Sequence, residues 1–134
     1  MKISTRSRYG VRLMIELAQN YGNGPIYLKD IARRQEISEK YMSLIVIPLK
    51  AAGLVNSTRG AHGGYTVAKN PADITLKQIV DALEGETLLV DCVKYPSSCP
   101  RYDTCASKDL WKGLSSTISN ALEAVTLKDL ARKK

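Results

Sequence analysis

The sequence predicts a mainly α-helical fold with a small β-hairpin: a winged helix-turn-helix domain plus a long C-terminal dimerisation helix. Three observations lead to this prediction. Two short helical patterns meet at a tight connection, a glycine-rich hairpin pattern follows at once, and a long apolar stripe lies near the C-terminus. Each piece alone is common, but their order and the basic residues on them make the combination specific.

The first helix is predicted over residues 9–21, where apolar residues recur at the i, i+3, i+4, i+7 spacing of an amphipathic helix. These residues are Val11, Met14, Ile15 and Ala18. The segment NYGNGP, residues 20–25, contains two glycines and a proline, which end the helix.

A second and a third helix form the predicted helix-turn-helix. Residues 28–35 indicate a brief helix. Ser38 is a suitable N-cap for the next one, and Gly53 suits the position just past its end. Pro48 lies inside this third helix and is expected to kink it or loosen one turn.

The hairpin is predicted from two short β-type runs, LVNST and YTVAK, that flank the glycine-rich segment RGAHGGY. Strand, turn and strand then form the wing of a winged helix. Residues 75–78 match a capping box, which opens a fourth helix ending at Gly85.

The C-terminal part carries the second long apolar stripe, from residue 110 to residue 125, and a last helical turn begins at Thr126. A winged-helix core does not need this stripe, so a partner helix from a second subunit is a natural place to bury it. We therefore divide the chain into three parts. Residues 1–85 form the winged helix-turn-helix domain, 86–106 a cysteine-containing cluster-binding loop, and 107–134 the dimerisation helix and tail.

The charge is concentrated in the first half of the chain. Residues 1–69 carry eleven Lys or Arg against four Asp or Glu, whereas residues 70–134 carry nine of each. A basic half attached to a neutral one indicates a polyanionic partner such as nucleic acid. No apolar run is long enough for a membrane span or a signal peptide, so we expect a cytoplasmic protein without a membrane partner.

Four motifs, MKISTRSRYG, ISEKYM, PLKAAGLV and RGAHGGY, follow one another in an order and spacing that resemble a known family. This is the family of bacterial winged-helix transcription regulators that includes IscR, CymR and NsrR, and the chain resembles the iron–sulfur cluster regulator IscR most in type. The resemblance covers residues 1–130. It implies a homodimer that reads double-stranded DNA at a palindromic operator, with the long C-terminal helix as the dimer interface.

The resemblance makes the helix that begins after Ser38 the recognition helix, with its first turns in the major groove. Arg59 at the tip of the wing is expected to enter a minor groove, and His62 beside it to contact the backbone or a phosphate rather than a metal. The expected DNA-binding residues are Arg8, Ser38, Lys40, Tyr41, Ser43, Arg59 and His62. Many relatives carry Glu-Gln where this chain has Ser43 and Leu44, so the preferred operator is left open.

All three cysteines lie in CVKYPSSCPRYDTC, residues 92–105, with the spacing C-x6-C-x5-C. Thiolates bind iron–sulfur clusters and zinc alike, and the spacing alone leaves both open. The resemblance implies an iron–sulfur cluster held by Cys92, Cys99 and Cys105. We expect a 2Fe–2S rather than a 4Fe–4S cluster, although the residues themselves do not fix its type. Lys108 stands where IscR has a histidine, so the fourth ligand is not identified.

The function predicted from these features is a homodimeric DNA-binding transcriptional regulator, of the repressor type, that senses iron–sulfur cluster status, and through it iron, oxygen or nitric oxide. It would control genes such as those for cluster biogenesis. The alternative is a cofactor-free or thiol-redox-sensing repressor of the same family, acting in cysteine and sulfur metabolism. A zinc-binding adaptor is a weaker alternative. No enzyme is expected, because the chain has no C-x-x-C motif and no histidine near the cysteines.

Overall fold

The computed structural model describes residues 2–85 and 89–132. Its helices are α1 (Thr5–Gln19), α2 (Leu28–Gln35), α3 (Glu39–Ala51), α4 (Leu76–Glu84), α5 (Lys108–Glu123) and α6 (Leu127–Leu130). The strands are β1 (Val55–Thr58) and β2 (Gly64–Val67), which pair antiparallel. The predicted fold class, mainly helical with one small hairpin, is confirmed. The predicted boundary after residue 85 and the last two residues of the tail fall outside the described residues.

Helix α1 is longer at its start than predicted. It begins at Thr5 and not at residue 9, because the Ser4 side chain caps it by accepting a hydrogen bond from the Ser7 N–H at 3.2 Å. The predicted apolar stripe was also incomplete, since it omitted Leu13 and Leu17. Both of these side chains are almost fully buried.

The core surrounds α1. Side chains from α2, α3, α4 and α6 all pack onto its inner face. The side chains without solvent exposure include Leu13, Met14, Ile31, Met42, Leu49, Ile79 and Leu127. Burial of one such side chain stabilises the fold by about 1.5–3 kcal/mol, so α1 fixes the positions of the helices around it.

The helix-turn-helix and the wing form next to each other, as the capping pattern predicted. Ser38 caps α3, and Gly53 takes a left-handed φ of 75° just after it. Helix α3 runs unbroken through Pro48. Ile26, between α1 and α2, pairs with Tyr65 of β2 and so extends the hairpin by an isolated bridge.

The C-terminal segment returns to the winged-helix core. Helix α5 has no buried residue, whereas Leu127 in the next turn is completely buried. Main-chain hydrogen bonds of 2.8 Å join Leu76 to Val125 and Leu127 to Ile74. The last turn therefore packs with residues that the sequence assigned to the first domain, and the three-part division of the chain stays a prediction.

Glu84, the last residue of α4, ties α4 to the start of α1. Its Oε1 accepts hydrogen bonds from the Ser4 N–H at 2.9 Å and from the buried Ser7 hydroxyl at 2.7 Å, and the Ser4 hydroxyl donates to it as well. The side-chain bonds from Ser4 and Ser7, followed by the Ser4 N–H, lower the pKa of Glu84. The carboxylate thereby satisfies donors at the N-terminus of α1.

We expect Glu84→Ala to lower stability at neutral pH and to flatten its dependence on pH. The folded-state pKa lies below the ordinary value of 4.5, so the contribution is complete above that value and is lost as the pH falls through the lower, folded pKa. The measurement is the urea midpoint of both proteins between neutral pH and about pH 3. Glu123→Ala, at the exposed end of α5, is the matched control. If the urea midpoints of Glu84→Ala and the native chain depended on pH in the same way, the stabilising role of the hydrogen bonds to Glu84 would be contradicted.

Candidate nucleic-acid interface and cysteine loop

The first turns of α3 carry most of the predicted DNA contacts. The Ser38 hydroxyl accepts a hydrogen bond from the Tyr41 N–H at 3.1 Å, and the Ser43 hydroxyl donates to the Lys40 carbonyl at 2.7 Å. Lys40 is exposed. The two hydroxyls thus bond to the helix itself, and the charged side chains exposed on this turn are Glu39 and Lys40.

Tyr41 links the recognition helix to α1. Its ring meets Tyr9 edge to face, with centroids 5.9 Å apart and planes at 88°. The Arg12 guanidinium lies 5.3 Å from the centroid of Tyr9. Arg8, another predicted DNA contact, is exposed and directly precedes Tyr9. The sequence analysis did not single out Tyr9, because only the folded chain brings it to Tyr41.

The wing tip requires glycine at two positions. Gly63 is buried, and a Cβ there would collide with the Thr58 carbonyl oxygen and lie 2.9 Å from that of Gly60. Gly64 has a φ of 137°, and its Cβ would lie 2.5 Å from the Ile26 carbonyl oxygen. The close approach of these backbones leaves Arg59 and His62 exposed at the tip.

Two side chains outside the predicted set hold the wing. The Tyr27 hydroxyl donates to the Ala61 carbonyl, and the Lys50 ammonium donates to the Ser57 hydroxyl at 2.6 Å. The Tyr27 contact joins segments 34 residues apart and the Lys50 contact links α3 to β1, so neither belongs to one helix or turn pattern. They fix the wing tip to α2 and the base of the wing to the end of α3.

An open cleft of 610 Å³ lies between the wing and α3. The charged side chains that line it are three cations, Lys29, Lys50 and Arg59, and one carboxylate, Glu39, so its balance is positive. The Lys29 ammonium lies 5.4 Å from the centroid of the Tyr27 ring. A concave surface with this charge suits a phosphate backbone that passes between the wing and the recognition helix.

The three cysteines lie on three successive short 3₁₀ turns, Asp91–Val93, Pro96–Ser98 and Tyr102–Thr104. Cys92 lies within the first turn, and Cys99 and Cys105 end the second and third. All three are free and half-buried. The first turn packs against α5. Cys92 therefore lies in a turn that packs on α5, and Cys105 lies shortly before Lys108, the first residue of α5.

Cys105 has the most perturbed surroundings. Its Sγ lies 3.2 Å from the Ser107 hydroxyl. This hydrogen bond, together with the main-chain N–H groups of Ser107 and Lys108, lowers the pKa of the Cys105 thiol. The Lys108 ammonium, at the position of the expected fourth ligand, lies 4.6 Å from the centroid of the Tyr102 ring.

The donor type suits an iron–sulfur cluster, because thiolates are its usual ligands. The arrangement of the three thiols in this structure does not fit a cluster. Across residues 2–85 and 89–132, no three His, Cys, Asp or Glu side chains come together as a metal-binding group. The expected cluster site is thus not preformed in this conformation.

None of the described helices has both the length and the apolar character that a bilayer crossing requires.

Comparison with known proteins identifies the family. A family model for Rrf2, described as an iron-dependent transcriptional regulator, matches residues 3–133. The chain belongs to the Rrf2 family. Proteins of this family bind DNA, so the chain is a DNA-binding transcription regulator and not an enzyme.

Both kinds of Rrf2 relative named in the sequence analysis are similar to this chain. The regulator CymR of Bacillus subtilis is 41% identical, over 98% of this chain and 90% of its own. IscR of Pectobacterium atrosepticum is 34% identical, over 100% and 81%. The solved structure of B. subtilis CymR, the global cysteine regulator, has a TM-score of 0.79 and covers 98% of this chain and 96% of its own. That of T. potens IscR is 38% identical, with a TM-score of 0.77, over 97% and 85%.

We expect Gly63→Ala to weaken duplex binding about tenfold or more, because the added Cβ displaces the wing tip and Arg59 while their charge remains. The probe is a duplex that the protein selects from a random pool, and the measurement is its Kd. Gln19→Ala, at an exposed position in the last turn of α1, is the control and should bind normally. Unchanged binding by a folded Gly63→Ala protein would contradict the role of the wing.

Proposed function

We propose that this Rrf2 regulator is a homodimer that binds a palindromic operator and reports iron–sulfur cluster status through Cys92, Cys99 and Cys105. The observation that carries the proposal is the position of the three free thiols. They lie in the loop that joins the end of α4 to the start of α5. The DNA-binding domain and the proposed dimer helix meet at this loop.

The DNA-binding part of the proposal is supported by the charge and shape of one surface. The outward side of α3 and the wing tip are both exposed, and the cleft between them is cationic. The proposed DNA-binding residues are those predicted from the sequence, with Arg59 in the minor groove and the first turns of α3 in the major groove. Lys29 and Lys50 extend this set at the cleft.

The homodimer is supported by α5. Leu110 is 56% and Leu114 41% exposed, four residues apart on one face of a helix without any buried residue. Each leucine that a partner covers contributes about 1.5–3 kcal/mol. A second copy of α5 presents the same leucines, which is what a two-fold interface requires.

The sensing part is supported by the chemistry of the loop. Three free, half-buried thiols occur within it, and the pKa of one of them is lowered by Ser107. A bound cluster supplies a group that oxidants and iron shortage can remove. Because α5 packs on the turn that contains Cys92, a loop that rearranges to gather its thiols also shifts the start of α5.

A second function, thiol sensing without a cofactor, is favoured by a specific observation. Among the described residues the thiols do not form a ready metal site, and Lys108, which faces the Tyr102 ring, stands at the position of the expected fourth ligand. The similarity to CymR, a cysteine regulator, supports the same alternative. In that case oxidation of the Cys105 thiol, whose pKa is lowered, changes DNA binding in place of a cluster.

Anaerobic purification with iron, sulfide and zinc quantified tests the proposal. We expect coloured protein with iron and sulfide, and we expect Cys92→Ala, Cys99→Ala and Cys105→Ala each to lose the colour, because each removes one thiolate. Ser98→Ala in the same loop is the matched control and should keep it. Colourless protein that also resists anaerobic reconstitution would contradict cluster sensing. Zinc in place of iron would favour a zinc-binding protein, and loss of duplex binding on mild oxidation would favour the thiol sensor.

A further inference from the structure

Helix α3 carries an apolar stripe on its outward side. Residues 40, 44, 47 and 51 follow the i, i+4, i+7, i+11 spacing of one helix face. All four are exposed, and three of them are apolar: Leu44, Ile47 and Ala51. Leu44 is 57% and Ile47 60% exposed. Two large aliphatic side chains thus point away from the core on the helix that faces DNA.

The core is built from the opposite face of α3, so the stripe has no role inside this chain. The buried face consists of Met42, Ile45, Val46 and Leu49, each no more than 4% exposed. A single exposed leucine on a protein surface needs no explanation. Two large exposed aliphatic side chains, one turn apart on the proposed recognition helix, do need an explanation.

Two hydroxyls at the start of the same helix are engaged locally. Ser43 directs its hydroxyl proton to the Lys40 carbonyl, and the Ser38 hydroxyl caps the Tyr41 N–H. Lys40 and Tyr41 therefore remain as the hydrogen-bonding side chains of the proposed DNA-binding set on these turns. Leu44 and Ile47, which are exposed further along the helix, can add apolar contacts.

The surroundings of the stripe identify its occupant. Lys40 lies at one end of it, Lys50 lies close to the other, and the wing with Arg59 stands beside them across the cationic cleft. This surface suits a polyanion and not a second apolar helix. The exposed leucines of α5 lie on an element separate from this basic surface. The stripe is therefore continuous with the DNA-binding surface.

We propose that Leu44 and Ile47 read thymine C5-methyl groups in the major groove, so that part of this regulator's sequence preference comes from apolar contact. The methyl of thymine is the one apolar group that bases present there. The inference rests on the proposed placement of α3 in the major groove. It assigns a specificity role to two side chains that have no hydrogen-bonding group of their own.

Removal of one contacted methyl is expected to weaken binding about fourfold, from the transfer free energy of one such group. In a dimer that makes the contact in both half-sites, this factor applies once for each half-site, so the two factors multiply. Loss of the leucine side chain should weaken binding to thymine-containing DNA. In that variant, removal of the thymine methyl should cause little further loss of affinity, because the two groups contact each other.

The test uses a duplex that the native chain selects from a random pool, synthesised once with thymine and once with deoxyuridine at every thymine position. The ratio of the two Kd values is measured for the native chain, Leu44→Ala and Ile47→Ala. Leu44→Met, which keeps an aliphatic side chain of similar size, is the matched control. Thermal unfolding of each variant confirms that it is folded.

We expect a uracil-to-thymine Kd ratio of about four or more for the native chain and for Leu44→Met, and a ratio reduced toward one for Leu44→Ala, Ile47→Ala or both. A native ratio near one would overturn the inference while DNA binding itself stands. Alanine variants that both keep the full native ratio would overturn it as well. A random pool that yields no bound duplex would contradict the proposed function, and the inference with it.

Discussion

The close approach of α1 to α3 and α4 at Gly10 is the contact on which the rest of the structure depends. A Cβ at this position would collide with the Leu83 side chain and lie 3.4 Å from Ile45. Because the backbone of α1 has no side chain here, both neighbouring helices pack directly against it. The recognition helix is thereby fixed on one side of α1 and α4 on another. The chain that leaves α4 leads to the cysteine loop, so this loop and α3 are both connected to helices that pack on α1.

Hydrogen bonds at the ends of the helices complete this support. Glu84 at the end of α4 holds Ser4 and Ser7 at the start of α1. Thr126, which caps α6, pairs as an isolated bridge with Thr75, which caps α4. Helix α5 packs against α4 and is followed by α6, and both α4 and α6 touch α1, while Leu110 and Leu114 of α5 stay exposed. Under the proposed function, a shift of α5 against a partner would reach α3 through α4 and α1.

Features that depend on neighbouring residues, such as helix caps, were predicted well from the sequence. Contacts between distant segments were not. The caps at Ser38 and Thr75 and the bounds of α2 follow from neighbouring residues and are confirmed. The start of α1 was wrong by four residues because its cap precedes the apolar repeat. Leu127 in the core and Tyr27 on the wing could not be predicted, since each contact joins segments far apart in the chain. At the candidate site, residue types indicated thiols and a basic wing. They could not indicate that Ser43 bonds to its own helix or that the thiols stay apart.

The central claim is that two copies of the chain join through α5 and present two recognition helices to one duplex. Sedimentation of the native chain, alone and with the duplex it selects, tests this most directly, with Leu114→Glu as the comparison. We expect the native chain to have the mass of two chains and to bind as two chains per duplex. Leu114→Glu should have the mass of one chain, because it places a charge on an exposed position of the apolar face. A native chain that sediments and binds as a monomer, or a Leu114→Glu chain that stays dimeric, would contradict the account.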